Sequence, residues 1–173
     1  MEHSQYINGL LDAYEPQLPV DRLVEEVNRL YHSFEAGSYD DRHPLLREQL
    51  PSIWTAMVDR AISLGPVAHW DVLDFGCGTG FASEQLLSLV PASRLRSLAC
   101  YDPSPEMLEQ CQARLEPRFP GVRTVSQFAD LVASSAKFNI VITNSVLHHL
   151  SDPLQAIHDL SPCLTQDAIW LCG

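Results

Sequence analysis

The chain has 173 residues, 46% of them hydrophobic, and a formal net charge of −11, with 22 acidic against 11 basic residues. That length suits one domain able to bury about two thirds of its unfolded surface. Dispersed and outnumbered lysines and arginines argue against a nucleic-acid substrate, which calls for a basic stripe, and no apolar run approaches the roughly 18 residues of a membrane span. The N-terminal MEHSQYINGLL lacks the basic start and apolar stretch of a signal peptide. The five cysteines (Cys77, Cys100, Cys111, Cys163, Cys172) show no paired metal-ligand spacing. A cytoplasmic protein is expected, with reduced thiols and no metal, nucleic-acid or membrane partner.

Two units are expected, a helical cap or lid at 1–66 and an α/β core at 67–173. Leu23, Val24, Val27, Leu30, Tyr31 and Phe34 recur at helical spacing behind a capping-type Asp21, which predicts an amphipathic helix over 21–34. Ile53, Trp54, Met57, Val58, Ala61 and Ile62 repeat the pattern after Pro51, in a helix that should stop at Gly65 and Pro66. Both apolar stripes are expected to pack on the core rather than touch a ligand. Between them, FEAGSYDDRHP (34–44) is polar and reads equally as a lid or a linker, with His43 facing solvent.

From residue 70 onward strands and helices alternate. Strands are predicted at 70–75, 96–101, 122–125, 137–143 and 168–172, and helices near 80–89, 104–116 and 153–164. Alternation at this spacing means a doubly wound, mostly parallel sheet in a three-layer α/β/α arrangement. Ser104-Pro105 and Asp152-Pro153 each place a capping side chain before a proline at the first helical position.

The most informative run is VLDFGCGTG, Val72 to Gly80. An apolar strand that ends in an acid and passes into three glycines makes a turn whose backbone can approach a ligand closely, followed by a helix start whose N–H groups suit an anion. Phe81 stands where a dinucleotide fingerprint needs its third glycine, and no lysine follows as a phosphate loop requires. Downstream, Leu98 to Tyr101 ends in Asp102, a carboxylate placed to accept two hydrogen bonds from a ribose diol. A turn or cap before Pro103 is the alternative role for that acid.

VLDFGCGTG resembles the first motif of the class I S-adenosylmethionine-dependent methyltransferases, and the resemblance runs from about residue 70 to the end. It implies a Rossmann-like core with the first strand central, S-adenosyl-L-methionine as cofactor, and a ligand across the carboxyl ends of the strands. By this resemblance Asp74 fixes the loop and meets the methionine ammonium directly or through water, while N–H groups of Gly76, Cys77, Gly78 and Gly80 meet the carboxylate. Ser104 and Met107 line the adenine pocket, although Met107 fits the core equally. Asp130, with Phe128 and Ala129 beside it, supplies the adenine-edge contact unless Gln127 holds that place. Tyr39 matches the family's lid tyrosine, and Asn144 faces the transfer chamber.

KFNIVITNSVLHHL (137–150) resembles the family's fourth motif, with Asn139 in place of a strand-start aspartate. Asn144 is followed by Ser145 and Val146 rather than by prolines, which disfavours methylation of nucleobase or glutamine amines. His148 and His149 are adjacent on one turn, so they should point about 100° apart and brace the loop rather than hold a metal. No catalytic residue is assigned; His148 and Tyr39 are the candidates. The implied reaction is an in-line displacement on the sulfonium methyl group, accelerated by alignment in a dry chamber.

A small-molecule acceptor is expected. The alternatives are a non-catalytic cofactor-binding module or scaffold, and a methyltransferase acting on a protein; Phe81 disfavours a nicotinamide enzyme. The family continues past the fifth strand through a helix and an antiparallel hairpin, whereas this chain ends with DAIWLCG (167–173). The expectation is a truncated piece that itself lacks activity, or one whose bare sheet edge a dimer mate or second chain completes.

Overall fold

The computed structural model describes residues 20–64 and 68–173. The stretch read for a signal peptide, the helix stop at Gly65 and Pro66, and the division near residue 66 lie outside the described residues. Three helices come first: α1 (Val20–Glu35), α2 (Tyr39–Arg42) and α3 (Pro44–Leu64). The core follows as β1 (Trp70–Phe75), α4 (Phe81–Leu89), β2 (Leu95–Tyr101), α5 (Pro105–Leu115), β3 (Arg123–Val125), α6 (Phe128–Ala133), β4 (Phe138–Thr143), α7 (Pro153–Leu160) and β5 (Leu164–Cys172).

All strand pairs are parallel, in the order β3-β2-β1-β4-β5, so the first strand is central as expected. β1 is buried along its whole length, which is what helices on both faces of a parallel sheet impose. Because side chains alternate along a strand, Val72 joins one apolar cluster with Leu86, Leu98 and Ile140, while its neighbour Leu73 joins another with Ala99, Leu131, Val141 and Leu160. The helical segment shares the first of these cores, through Trp54, Val58 and Ala61 of α3. Among the described residues no helix is long and apolar enough to cross a membrane.

Both predicted caps form. Ser104 Oγ accepts from Met107 N–H at 3.2 Å and Asp152 Oδ1 from Gln155 N–H at 2.9 Å, each with proline at the start of its helix. Asn139 does more than begin a strand. Its Oδ1 accepts from Asp71 N–H at 2.9 Å and its Nδ2 donates to His69 O at 2.9 Å, pinning β4 to the start of β1 with a donor that an ionised aspartate lacks. Arg96 and Ser97 bind the neighbouring Asp71 carboxylate, and the Arg96 hydrogen bond holds its pKa below the ordinary value.

Three expectations are corrected. The second helix begins at Pro44, where a missing N–H costs nothing, and it carries Pro51 inside because Trp54, Val58 and Ala61 bury fully further on. The stripe on α1 does not pack on the core: Val24, Val27, Leu30 and Tyr31 are exposed, and Phe34 is 84% exposed. The polar side of α1 faces inward instead, where Ser33 Oγ lies 3.0 Å from Ser104 Oγ and Asn28 Nδ2 donates to His149 O at 3.3 Å. The helix expected to run to 164 stops at Leu160, since Pro162 cannot continue it; the chain makes a short 3-10 turn at Ser161–Cys163 and enters β5 early.

Gly80 joins the glycine loop to α4 with φ +81°, and a β-carbon there would stand 2.9 Å from Cys111 Sγ and 3.2 Å from Cys111 Cα. Gly80→Ala should therefore lower unfolding stability by more than about 1 kcal/mol. Gly37→Ala, with no heavy atom within 4 Å of the added carbon, should change it by less than about 0.5 kcal/mol. Denaturant midpoints of the two variants check the contrast.

Candidate functional site

A cleft of about 820 Å³ opens at the carboxyl ends of the central strands, roofed by α1 and α2. Its floor is the glycine loop. Gly76 and Cys77 donate their N–H groups to Tyr101 O at 2.8 and 2.9 Å, and Gly80 donates to Cys77 O at 2.8 Å. Gly78 N–H donates to Asp102 Oδ2 at 2.9 Å. The loop amides expected to meet a ligand carboxylate are thus mostly engaged within the protein, because the turn needs them to hold its shape. Thr79 N–H is the loop amide with no acceptor among the described residues.

Asp102 sits at the end of β2, 8% exposed, and lines the cleft. Its second oxygen, Oδ1, accepts from Ser104 N–H at 2.9 Å, so one carboxylate ties the glycine loop to the start of α5. Two of its roughly four lone-pair positions are filled by these bonds. Burial pushes the acid up to about 6 against the pull of the two amides.

Asp74 lies behind the loop, not in the cleft. It is fully buried, its Oδ2 accepts from Ser83 Oγ at 2.6 Å, and its Oδ1 has no partner among the described residues. Burial raises it to about 7. Of the other expected residues, Tyr39, Gly76, Cys77, Gly78, Met107, Phe128 and Asn144 line the cleft. Gly80, Ser104, Ala129, Asp130 and His148 do not. Ser104 is buried under α1 as a helix cap, and Asp130 and Ala129 are exposed on α6 while Gln127, the alternative, lines the cleft.

The site also contains residues that the sequence did not single out. Phe75 and Tyr101 stack at 5.1 Å between ring centroids, with Phe128 edge-on to both, and the three form an aromatic wall of the cleft. Strand-end positions are the only sequence signal of Phe75 and Tyr101, whereas Phe128 was already a candidate. Arg29 is the one arginine or lysine among the described lining residues, and Glu26 on the same helix accepts from its Nη2 at 2.5 Å.

Tyr39, at the start of α2, lies edge-on to His32 of α1 at 5.8 Å. α2 is fastened by Asp40, which accepts from Thr79 Oγ1 at 2.8 Å and is paired with Arg114 of α5. His149 lines the cleft with its ring 5.1 Å from His32, whereas His148 is exposed. The two adjacent histidines do not diverge: on their 3-10 turn, the rings approach to 4.0 Å. Burial lowers the pKa of both His32 and His149, which keeps them neutral near pH 7. Asn144 Oδ1 is buried without a partner beside Gly173. Ser145, next along, takes a left-handed φ of 55°.

This geometry has counterparts among known proteins. A family model described as a methyltransferase domain matches residues 73–170. A malonyl-[acyl-carrier protein] O-methyltransferase of Paenibacillus sp. strain JDR-2 is 26% identical over 144 residues, 81% of this chain and 51% of that protein. One of Hahella chejuensis is 28% identical over 175 residues, 100% of this chain and 58% of that protein. The chain therefore spans about half the length of the curated relatives it matches. Magnesium protoporphyrin IX methyltransferase of Synechocystis PCC 6803, solved with bound S-adenosylmethionine, shares the fold with a TM-score of 0.60 at 19% identity, over 86% of this chain and 80% of that one. With its glycine loop, its β3-β2-β1-β4-β5 sheet and more than half its length matched by that family model, the chain belongs to the class I S-adenosylmethionine-dependent methyltransferases.

Proposed function

We propose that the chain binds S-adenosyl-L-methionine in this cleft and directs its methyl group onto a small-molecule acceptor by in-line displacement. The observation that carries the reading is the Asp102 carboxylate, hydrogen-bonded to the glycine loop at the floor of an open cleft. Its unfilled lone pairs suit the two hydroxyls of a ribose. The wall of Phe75, Tyr101 and Phe128, with Met107, suits the adenine ring, and Gln127 is better placed than Asp130 for the ring edge.

Arg29 is the group suited to the methionine carboxylate, supplementing Thr79 N–H where the other loop amides are engaged. Asp74 shapes the loop from behind. Tyr39, His32, Asn144 and His149 would then surround the sulfonium side. The sulfonium already activates its methyl group, so these residues have to align the acceptor and exclude water. A neutral His32 or His149 serves as base where the acceptor must lose a proton.

The malonyl carboxylate named for the relatives is a second reading. Glu25, Glu26, Asp152 and Asp159 also line the cleft, against Arg29 alone, and this excess of acid favours an uncharged or cationic acceptor over an anionic one. The five free cysteines fit the reducing cytoplasm. The unpaired side of β5, at the sheet edge among the described residues, is where a second chain or a second copy would add a strand.

Titration calorimetry should give saturable S-adenosylmethionine binding to the wild-type chain, and Asp102→Ala should weaken it at least about tenfold, the loss of a charged hydrogen bond to a ligand. No saturable binding, or an unchanged affinity in the variant, would refute the reading. Methyl-labelled cofactor offered with uncharged, cationic and malonyl-carrier acceptors then separates the two acceptor classes.

The same acid predicts a pH effect on the ligand-free protein. A carboxyl raised from 3.8 to about 6 makes its contribution to stability in full below pH 3.8 and loses it as pH rises through 6. Thermal unfolding of wild type should accordingly fall relative to Asp102→Asn between pH 4 and pH 7, and parallel curves would contradict the burial argument. For turnover, His32→Gln should reduce kcat at least about tenfold for an acceptor that loses a proton. Its effect should be small for one that does not, and paired assays distinguish the cases.

A further inference from the structure

Beneath the glycine loop three sulfurs converge. Cys77 in the loop, Cys100 near the end of β2 and Cys111 on α5 are all buried, and their Sγ atoms lie within 4.8 Å of one another. The three come from separate elements, which is why no cysteine spacing announces them. We infer that Cys77, Cys100 and Cys111 form a binding site for a soft, three-coordinate thiophilic ion, with trivalent arsenic the charge-matched member of that class.

The donor set argues for softness. No imidazole or carboxylate completes the cluster among the described residues, and sulfur-only ligation selects soft ions over oxygen-seeking ones. Zinc in a closed site takes four ligands, and this site offers three. With thiolate bonds of about 2.3 Å, three sulfurs around one pyramidal centre stand about 3.5 Å apart. The observed cage, with its sulfurs within 4.8 Å of one another, has to close by only about 1 Å to reach that size.

Charge argues for a trivalent centre. All three sulfurs are buried, and an uncompensated buried charge is expensive. Three thiolates around Cu(I) carry two net negative charges; around As(III) they carry none. With arsenous acid the exchange balances without an oxidant: three S–H and three As–O bonds break, three As–S bonds form, and each thiol proton leaves on a hydroxide as water.

Cys77 also lines the cleft, which gives a ligand its route to the cage. Occupation draws the loop, β2 and α5 together. An ion in the cage therefore stiffens the loop whose Gly78 N–H holds Asp102. The site stands whether or not methyl transfer is the chain's activity.

The test starts from Cys163→Ser/Cys172→Ser, which removes the two cysteines outside the cage. Titration with arsenite, followed by thiolate-to-arsenic absorbance and intact mass, should give one arsenic per chain with loss of three protons. Adding Cys111→Ser, or separately Cys100→Ala, should weaken binding at least tenfold while circular dichroism stays that of the parent. Equal binding in either folded variant, no saturable binding in the parent, or one equivalent of Cu(I) bound where arsenite fails would overturn the proposal. Cofactor titration of the same samples is scored separately: failure there counts against the methyltransferase reading and leaves the arsenite result intact.

Discussion

The Asp102 carboxylate is the constraint on which the site depends. It receives Gly78 N–H on one oxygen and Ser104 N–H on the other, so the glycine loop, the end of β2 and the start of α5 are registered by a single side chain. Burial works against this, lifting the acid to about 6. The fold tolerates that because the rest of the loop is held independently, with Gly76 and Cys77 hanging on Tyr101 O and Gly80 closing on Cys77 O. A carboxylate kept partly unsatisfied at the floor of a cleft is a functional arrangement bought at some expense of stability.

The sheet explains why the acid stands there. In a parallel sheet with β1 central, the strands deliver their carboxyl ends to one edge of the molecule, and the loops leaving β1, β2 and β4 meet there. Asp102 leaves β2, the glycine loop leaves β1, and Asn144 and His149 follow β4. The helical segment then closes the top. α2 is latched by Asp40 to Thr79 and Arg114, so the lid is fastened to the same loop that Asp102 holds from below. α1 turns Asn28, Arg29 and His32 inward and its apolar side outward.

That inversion marks where the sequence stopped being legible. Periodicity located α1 within a residue or so, but it cannot say which face meets the protein when the partner is a polar cleft rather than an apolar core. The strands and the caps at Ser104 and Asp152 were readable because local chemistry dictates them: alternation, capping oxygens and prolines act over a few residues, whereas the central place of β1 came from the family resemblance. The cage of Cys77, Cys100 and Cys111 and the wall of Phe75, Tyr101 and Phe128 were not, since each is assembled from different elements by the sheet's register. The internal engagement of the loop amides was hidden for a related reason. Three glycines signal a tight backbone, yet a tight turn must satisfy its own N–H groups first, and Tyr101 O and Asp102 do that here.

The same competition between structure and ligand suggests how the chemistry is divided. Loop amides and Asp74 are committed to shape, and on the proposed reading recognition of a charged ligand would fall to side chains that arrive from outside the loop, Arg29 from α1 and Asp102 from β2. Arg29 is shared with Glu26, and a solvent-screened ion pair on one helix is weak enough to exchange for a ligand carboxylate without loss of fold. That arginine rides on α1, which carries most of the exposed large apolar side chains among the described residues. Ligand binding and lid closure should be thermodynamically coupled through that one arginine, since whatever orders α1 also places the cation.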